Sequence, residues 1–417
     1  MRARLRRVLT VERPHVVGPI TVGHGVNEFF AIVIPPIIPL LVSDFDITYV
    51  QAGFLLTVFF AMYVLFQLPA GVVADRVGKK RVLVAGLVGM AGAILLASTA
   101  GNYETLVVAQ TAAGISGSTF HPTGMSMISD VETGATEGRA MGIFGFGGAL
   151  GTMSSPLLVG GVAAVAGWRA ALLCAVVVGI TATLLVVRHL SSHGTESTPN
   201  ARSDGSRHSS IRERLGATVR LDDVPITSGT GVLFVVTLVL SLQHRAIQTF
   251  TTSYVVAETG ASVSIGNLAF FALLGGGSVA SLWAGDLAHR FDRVSLGIGT
   301  ALATAALVGG TLLVTDLVGE LPFELLIVIL AVWFACIGVL MYASYPVKNA
   351  LVSERATETN SGGLFGLIQT ASALGSASGP ALFGALATEW GVVAAFPAIA
   401  VASVVLALLF GLLVRVD

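Results

Sequence analysis

Two short stretches of this 417-residue chain place polar and ionisable side chains inside apolar sequence: His24, Asn27 and Glu28 in one, His244, Arg245 and Gln248 in the other. His24 and Glu28 are four residues apart, so on a helix they share a face. A carboxylate there suits proton uptake and release, and the imidazole can share or relay the proton. The alternative is a fixed structural pair of Glu28 with Arg245. Arg245 stays charged at any accessible pH, and its planar fork matches carboxylate or phosphate. Lys348 adds a second cation, unless it snorkels to a surface. His121 and Tyr345 each precede a proline; they either meet a solute or satisfy backbone that the proline frees. The chemistry expected is proton transfer at Glu28 and His24. Solute recognition would use Asn27, His121, His244, Arg245, Gln248 and Tyr345.

The elements that must position these groups are membrane helices. Hydrophobic residues make up 54% of the chain, charged residues only 11%, and mean hydropathy is +0.84. The apolar residues fall in blocks of about 20 or more, the length that crosses a ~30 Å hydrocarbon layer as helix. Twelve such blocks are expected, at about 15–42, 48–74, 82–100, 103–129, 140–164, 168–189, 231–256, 264–287, 294–315, 322–347, 363–387 and 391–414. The fold class is therefore all-α integral membrane, with residues 1–190 and 229–417 as six-helix bundles. The Ser-, Gly- and Arg-rich stretch 191–228 is a solvated linker between them. The basic start lacks a short apolar region and cleavage site of its own, so helix 1 is expected to be retained. Cys174 and Cys336 lie in apolar blocks and are given no role, and no metal-ligand set or cofactor is expected.

Orientation follows from charge. With both termini and the linker on the cytoplasmic side, 20 of the 23 Lys and Arg residues sit near cytoplasmic helix ends, Arg169, Arg245 and Lys348 being the exceptions. The opposite loops carry Asp44, Asp46, Glu104, Glu258, Asp316, Glu320 and Glu389. The excess of Arg over Lys points to a GC-rich prokaryotic source, and the expected location is its plasma membrane.

An internal repeat supports two related halves. At an offset of 224, Gly142, Gly151, Ser155, Pro156 and Gly160 map onto Gly366, Gly375, Gly379, Pro380 and Gly384. The same offset takes His121-Pro122 to Tyr345-Pro346 and Ser129-Asp130 to Ser353-Glu354. At an offset of 214, Thr48, Gly71 and Arg76 map onto Ser262, Gly285 and Arg290.

The stretch Gly71-Val-Val-Ala-Asp75-Arg76-Val-Gly78-Lys79-Lys80-Arg81 resembles the G-x-x-x-D-R-x-G signature of the major facilitator superfamily. Gly71 would let helix 2 approach a neighbour. Asp75 could accept bonds from a basic group such as Arg139, and Asp130 could pair with Arg76 or Arg81. These seven residues, Gly71, Asp75, Arg76, Gly78, Arg81, Asp130 and Arg139, would form a latch that tunes conformational equilibrium. A plain basic loop would explain only the cations. The second half departs from the motif, with His289 in place of the Asp and Asp292 in place of the second Gly, so a weaker latch is expected there.

Helix 5 is similar to the glycine-proline motif of the superfamily's exporters, but Ser155 stands where Gly precedes the proline. Gly151, Pro156, Gly375, Gly379 and Pro380 would make kinked, closely packed hinges at the interface of the halves; ordinary membrane-helix glycine is the alternative. Helix 4 has Gln110 to Gly117 where many proton-coupled exporters place an Arg, which puts that arginine mechanism in doubt. Gly167-Trp168-Arg169-Ala170 is another frequent superfamily phrase, with Trp168 and Arg169 read as interfacial anchors.

The resemblance implies a monomeric carrier working by alternating access, with helices 1, 4, 7 and 10 lining its cavity. The expected function is proton-coupled export of a small organic solute or drug, the partners being solute, protons and lipid rather than nucleic acid. Uptake or exchange of an organic anion is the alternative, and a non-transporting sensor a third possibility. The chain carries neither H-E-x-x-H, G-x-S-x-G nor a nucleotide-binding G-x-x-x-x-G-K-S/T, so an enzyme is not expected.

Overall fold

A computed structural model describes residues 11–192, 227–281, 283, 287, 290–318, 322–356 and 361–416. Among the described residues every regular element is helical. In chain order they are α1 Pro14–Phe45, α2 Tyr49–Val77, α3 Lys79–Ser98 and α4 Tyr103–Gly117 continuing as Phe120–Ser129. Next, α5 and α6 share Gly134–Ser192 and part at Gly167, whose φ of 80° is open to glycine but strained for other residues. Then follow α7 Ser228–Thr259, α8 Val263–Ser281, α9 Arg293–Gly309 continuing as Thr311–Val318, α10 Phe323–Arg355, α11 Ser361–Trp390 and α12 Val392–Val416. Among the described residues, eight stretches are individually long and apolar enough to cross a membrane. Most of the linker, 193–226, and His289 lie outside the described residues.

Two compact units emerge, and they cut across the chain halves. One takes the chain up to Val33, Met62–Ser155 and α6 from Leu172. The other takes Ile34–Ala61, Pro156–Ala171 and α7 to α12.

The expected unbroken helix over 15–42 is interrupted. Pro14–Ala31 gives way to a 3-10 turn at Pro35–Ile37 before helix resumes at Ile38. Pro36 has no N–H to offer the carbonyl of Ile32 four residues back. That carbonyl instead accepts from the buried Ser155 hydroxyl at 2.9 Å. This explains the departure at Ser155. Helix α7 runs without interruption and needs no such donor, and the matching position is Gly379, whose missing side chain lets α11 lie on the Leu242 carbonyl.

The glycines expected to form hinges between the halves pack each half on itself. A Cβ at Gly151 would run into the backbone of Gly25 on α1, and one at Gly375 into the Leu238 carbonyl on α7. The backbones are close because neither position has a side chain. Pro380 lies in the second unit with its carbonyl against Gly53 of α2, while Gly160, in the same unit as Pro156, faces the Asn267 amide. Asn267 in turn donates to the Pro36 carbonyl at 3.0 Å.

The N-terminus of α1 is held by Glu132, in the loop after α4. Its carboxylate accepts from the backbone N–H groups of Glu12 and Arg13 at 2.9 and 2.7 Å and is 1% exposed. Burial alone would raise its pKa, but these backbone donors outweigh it and hold the carboxyl below the usual range. A carboxyl whose pKa is lowered by folding stabilises the fold above its unfolded value, and that contribution is lost as pH falls through the folded value. Amide exchange at the start of α1, corrected for intrinsic rate, should therefore rise roughly tenfold as the medium is acidified below the ordinary carboxylate range. Glu132→Gln should exchange fast at all pH values. A wild-type rate that is flat with pH would refute the clamp.

Candidate functional site

In the first unit, α1 brings His24 and Glu28 against α4, which breaks after Gly117 and restarts at Phe120 just ahead of His121-Pro122. His24 Nε2 lies 3.2 Å from His121 Nε2, and Glu28 Oε1 lies 3.7 Å from the first and 3.9 Å from the second. His24 Nδ1 donates to the Phe144 carbonyl at 2.7 Å. Its ring stacks on Phe144 at 3.8 Å between centroids, and Gly148 on α5 supplies the room, since any Cβ there would strike the imidazole. Tyr63 Oη meets His121 Nδ1 at 2.5 Å. His24 is 6% exposed, whereas the side chains of Glu28 and His121 keep 24% and 28%.

Asn27 turns away from the trio. It is fully buried, with Nδ2 donating to the Gly117 carbonyl at the α4 break and to Met90 Sδ, and Oδ1 accepting from Tyr63. Its polar atoms are thus taken up by α3, α4 and α2 rather than by the trio. Tyr63, Phe144 and Gly148 join the site from other helices, and no spacing in the sequence marks them.

The second unit holds a related centre. An offset of 220 takes His24 to His244 and Glu28 to Gln248, while His121 corresponds to Tyr345. Here Gln248 Nε2 donates to Tyr342 Oη at 2.9 Å, and Arg245 Nη1 donates to Gln248 Oε1 at 2.9 Å. The guanidinium lies over the Phe60 ring, 4.1 Å from its centroid. His244 packs edge-on against Tyr342 and Tyr345, and its buried Nδ1 has no hydrogen-bond partner among the described residues. Lys348 does not snorkel: it is 6% exposed, with its ammonium 5.8 Å from the Tyr345 ring centroid. No carboxylate pairs with Arg245 or Lys348 among the described residues. The acid and second imidazole of the first centre are replaced by an amide and a phenol, and cations are added.

At the α2–α3 turn, Gly78 adopts φ 107°, which accounts for the glycine at that motif position. Asp130 meets Lys79 at 2.6 Å, not Arg76 or Arg81. Lys79 is the first residue of α3, and Asp130 directly follows the end of α4. The repeat offsets carry Lys79 and Asp130 onto Arg293 and Glu354, which also form an ion pair. The pair is thus present in the second half despite the altered motif. Gly71 lies against the Pro122 ring, joining α2 to α4. Trp168 and Arg169 both donate to Asp44, at 3.0 and 2.8 Å, and Trp168 is buried, so these residues tie α6 to the end of α1.

A family model described as Major Facilitator Superfamily matches residues 20–314 and 233–417. The fosmidomycin resistance protein of Escherichia coli (strain K12) is 24% identical over 293 residues, covering 70% of this chain and 69% of that protein. The multidrug resistance protein MdtG of Citrobacter koseri is 26% identical over 371 residues, covering 87% of this chain and 85% of that one. A crystal structure of a bacterial homologue of the human lysosomal transporter Spinster, inward-facing and unoccupied, matches with a TM-score of 0.78 at 15% identity over 97% of both chains.

Proposed function

Because this chain belongs to the Major Facilitator Superfamily, we propose that it is a proton-coupled exporter of a small organic solute, working by alternating access in a prokaryotic plasma membrane with both termini cytoplasmic. The superfamily and the relatives found are multi-pass membrane transporters and not enzymes, and this chain is one too. The observation that carries the coupling is the inequality of the two related centres. Only the first retains a carboxylate, Glu28, and places it within 4 Å of two imidazoles, His24 and His121. Protons can pass among these groups, whereas the second centre sets an amide and a phenol in place of the carboxylate and second imidazole and keeps a single imidazole, His244. The names of these relatives, which refer to resistance to fosmidomycin and to multiple drugs, support the outward direction.

Solute recognition falls to the second centre. Arg245, Lys348 and His244 are donors or cations with no acid among their described partners, which favours a solute carrying a negative group. Uptake or exchange of an organic anion is the second reading, favoured by the same cations. In proteoliposomes with a candidate anion, a solute gradient should drive proton movement of opposite sign for export and of the same sign for uptake. Absence of solute-dependent proton flux across a broad panel would instead favour a sensor. Arg245→Gln should raise KM for an anionic solute by at least about tenfold, the worth of one charge-assisted bond, with kcat changed less. An unchanged KM would remove Arg245 from recognition.

A further inference from the structure

We infer that His24, Glu28 and His121 form a binding site for one divalent transition-metal ion of the zinc type. The inference departs from the sequence expectation of no metal. It rests on the same trio as the proton reading and adds a second cation that competes with the proton there.

The geometry comes first. The three ligand atoms are 3.2, 3.7 and 3.9 Å apart. A single point lies about 2.1 Å from all three, the length of zinc–imidazole and zinc–carboxylate bonds. Two residues four apart on one helix and a third from a facing helix thus converge without any rotamer change.

Donor and acceptor bookkeeping comes second. The Phe144 carbonyl can only accept, so His24 carries its proton on Nδ1 and, when neutral, turns the Nε2 lone pair toward His121. Asn27 turns its Nδ2 to Gly117, leaving Oδ1 to receive the Tyr63 hydroxyl. When Tyr63 serves Asn27, it accepts from His121 Nδ1, and the His121 Nε2 lone pair is bare as well. Two lone pairs then face each other across 3.2 Å beside a carboxylate. That arrangement needs a cation between them. A proton satisfies one pair of atoms; a metal ion satisfies all three at once.

Support from outside the ligands comes third. Metal-binding histidines commonly give the other ring nitrogen to a carbonyl or other polar group that fixes the tautomer. His24 does so with Phe144 and His121 with Tyr63, while stacking against Phe144 and the space at Gly148 hold the His24 ring. Two imidazoles and one carboxylate favour Zn2+, Co2+, Ni2+ or Cu2+ over Mg2+ and Ca2+. The partial exposure of Glu28 and His121 leaves the ion a way in and leaves further coordination positions to water.

The test is a Co2+ titration of tag-free, full-length protein in detergent at neutral pH. The expected result is visible ligand-field absorption that saturates at one Co2+ per chain and is displaced by Zn2+. Affinity should fall at least about 100-fold in His121→Ala and His24→Ala and about tenfold in Tyr63→Phe. Because the ligands must be deprotonated, Zn2+ affinity should weaken on acidification. If the alanine variants do not fold, the isosteric Glu28→Gln provides the same comparison, and an unchanged affinity in it overturns the site. So does the absence of saturable absorption in the wild type, which would leave the trio to protons alone. Failure of the proton reading is separate: it is judged by pH-driven transport in metal-free buffer and leaves the wild-type titration unaffected.

Discussion

Glu28→Gln should abolish pH-driven accumulation while leaving solute exchange intact. A gradient of one pH unit supplies about 1.4 kcal/mol per proton and can hold about a tenfold solute gradient for each proton exchanged. Without a titrating group at residue 28, that ratio should fall to one. The substitution keeps shape and loses only the charge and its titration. The molecule itself places an amide at the related position in α7, where Gln248 accepts from Arg245 and donates to Tyr342. Counterflow, which needs no net proton movement, should continue at a rate within a few fold of wild type. Gradient-driven accumulation that survives the substitution would end the role assigned to Glu28, and loss of counterflow as well would mean that the carboxylate binds solute.

The second large effect concerns folding. Gly142 and Gly151, with their counterparts Gly366 and Gly375, all recur in the repeat, yet they differ physically. Nothing lies within 4 Å of where a Cβ would stand at Gly142 or Gly366, whereas Gly151 and Gly375 sit against backbone. Gly142→Ala should be neutral or stabilise its helix by about 0.5–1 kcal/mol. In Gly151→Val and Gly375→Val the obstacle is backbone and cannot be relieved by a rotamer change, so the cost should exceed the roughly 1–3 kcal/mol usual for overpacking. Little monodisperse protein should be recovered from detergent for either valine variant, against wild-type yield and thermal midpoint for Gly142→Ala. Equal yields across the set would show that α5 and α11 can move away from α1 and α7 freely.

Much of this architecture is legible in the sequence because membrane helices are dictated by composition and length, and because duplication leaves residue pairs at fixed offsets. The offsets even extend to a contact: Lys79–Asp130 and Arg293–Glu354 are related by them and are paired in each half. His24 and Glu28 were visible as a pair because helical periodicity is local. Tyr63, Phe144 and Gly148 were not, since they reach the same spot from helices whose relative rotation no local pattern encodes. Asn27 shares the spacing of the site, but its side chain turns toward the break in α4, which that spacing does not encode. The interruption of α1 had a signal in Pro35-Pro36, outweighed by the unbroken run of apolar residues around it. Ser155 departs from the glycine motif because its hydroxyl serves the Ile32 carbonyl, a partner on another helix that no local pattern marks.

That interruption bears on what holds α1 together. The chain passes from one compact unit to the other between Val33 and Ile34, within the stretch where α1 has exchanged its own hydrogen bonds for bonds to Ser155 and Asn267. At that depth α1 thus depends on side chains of α5 and α8 to satisfy its carbonyls, whereas the related helix α7 runs on unbroken.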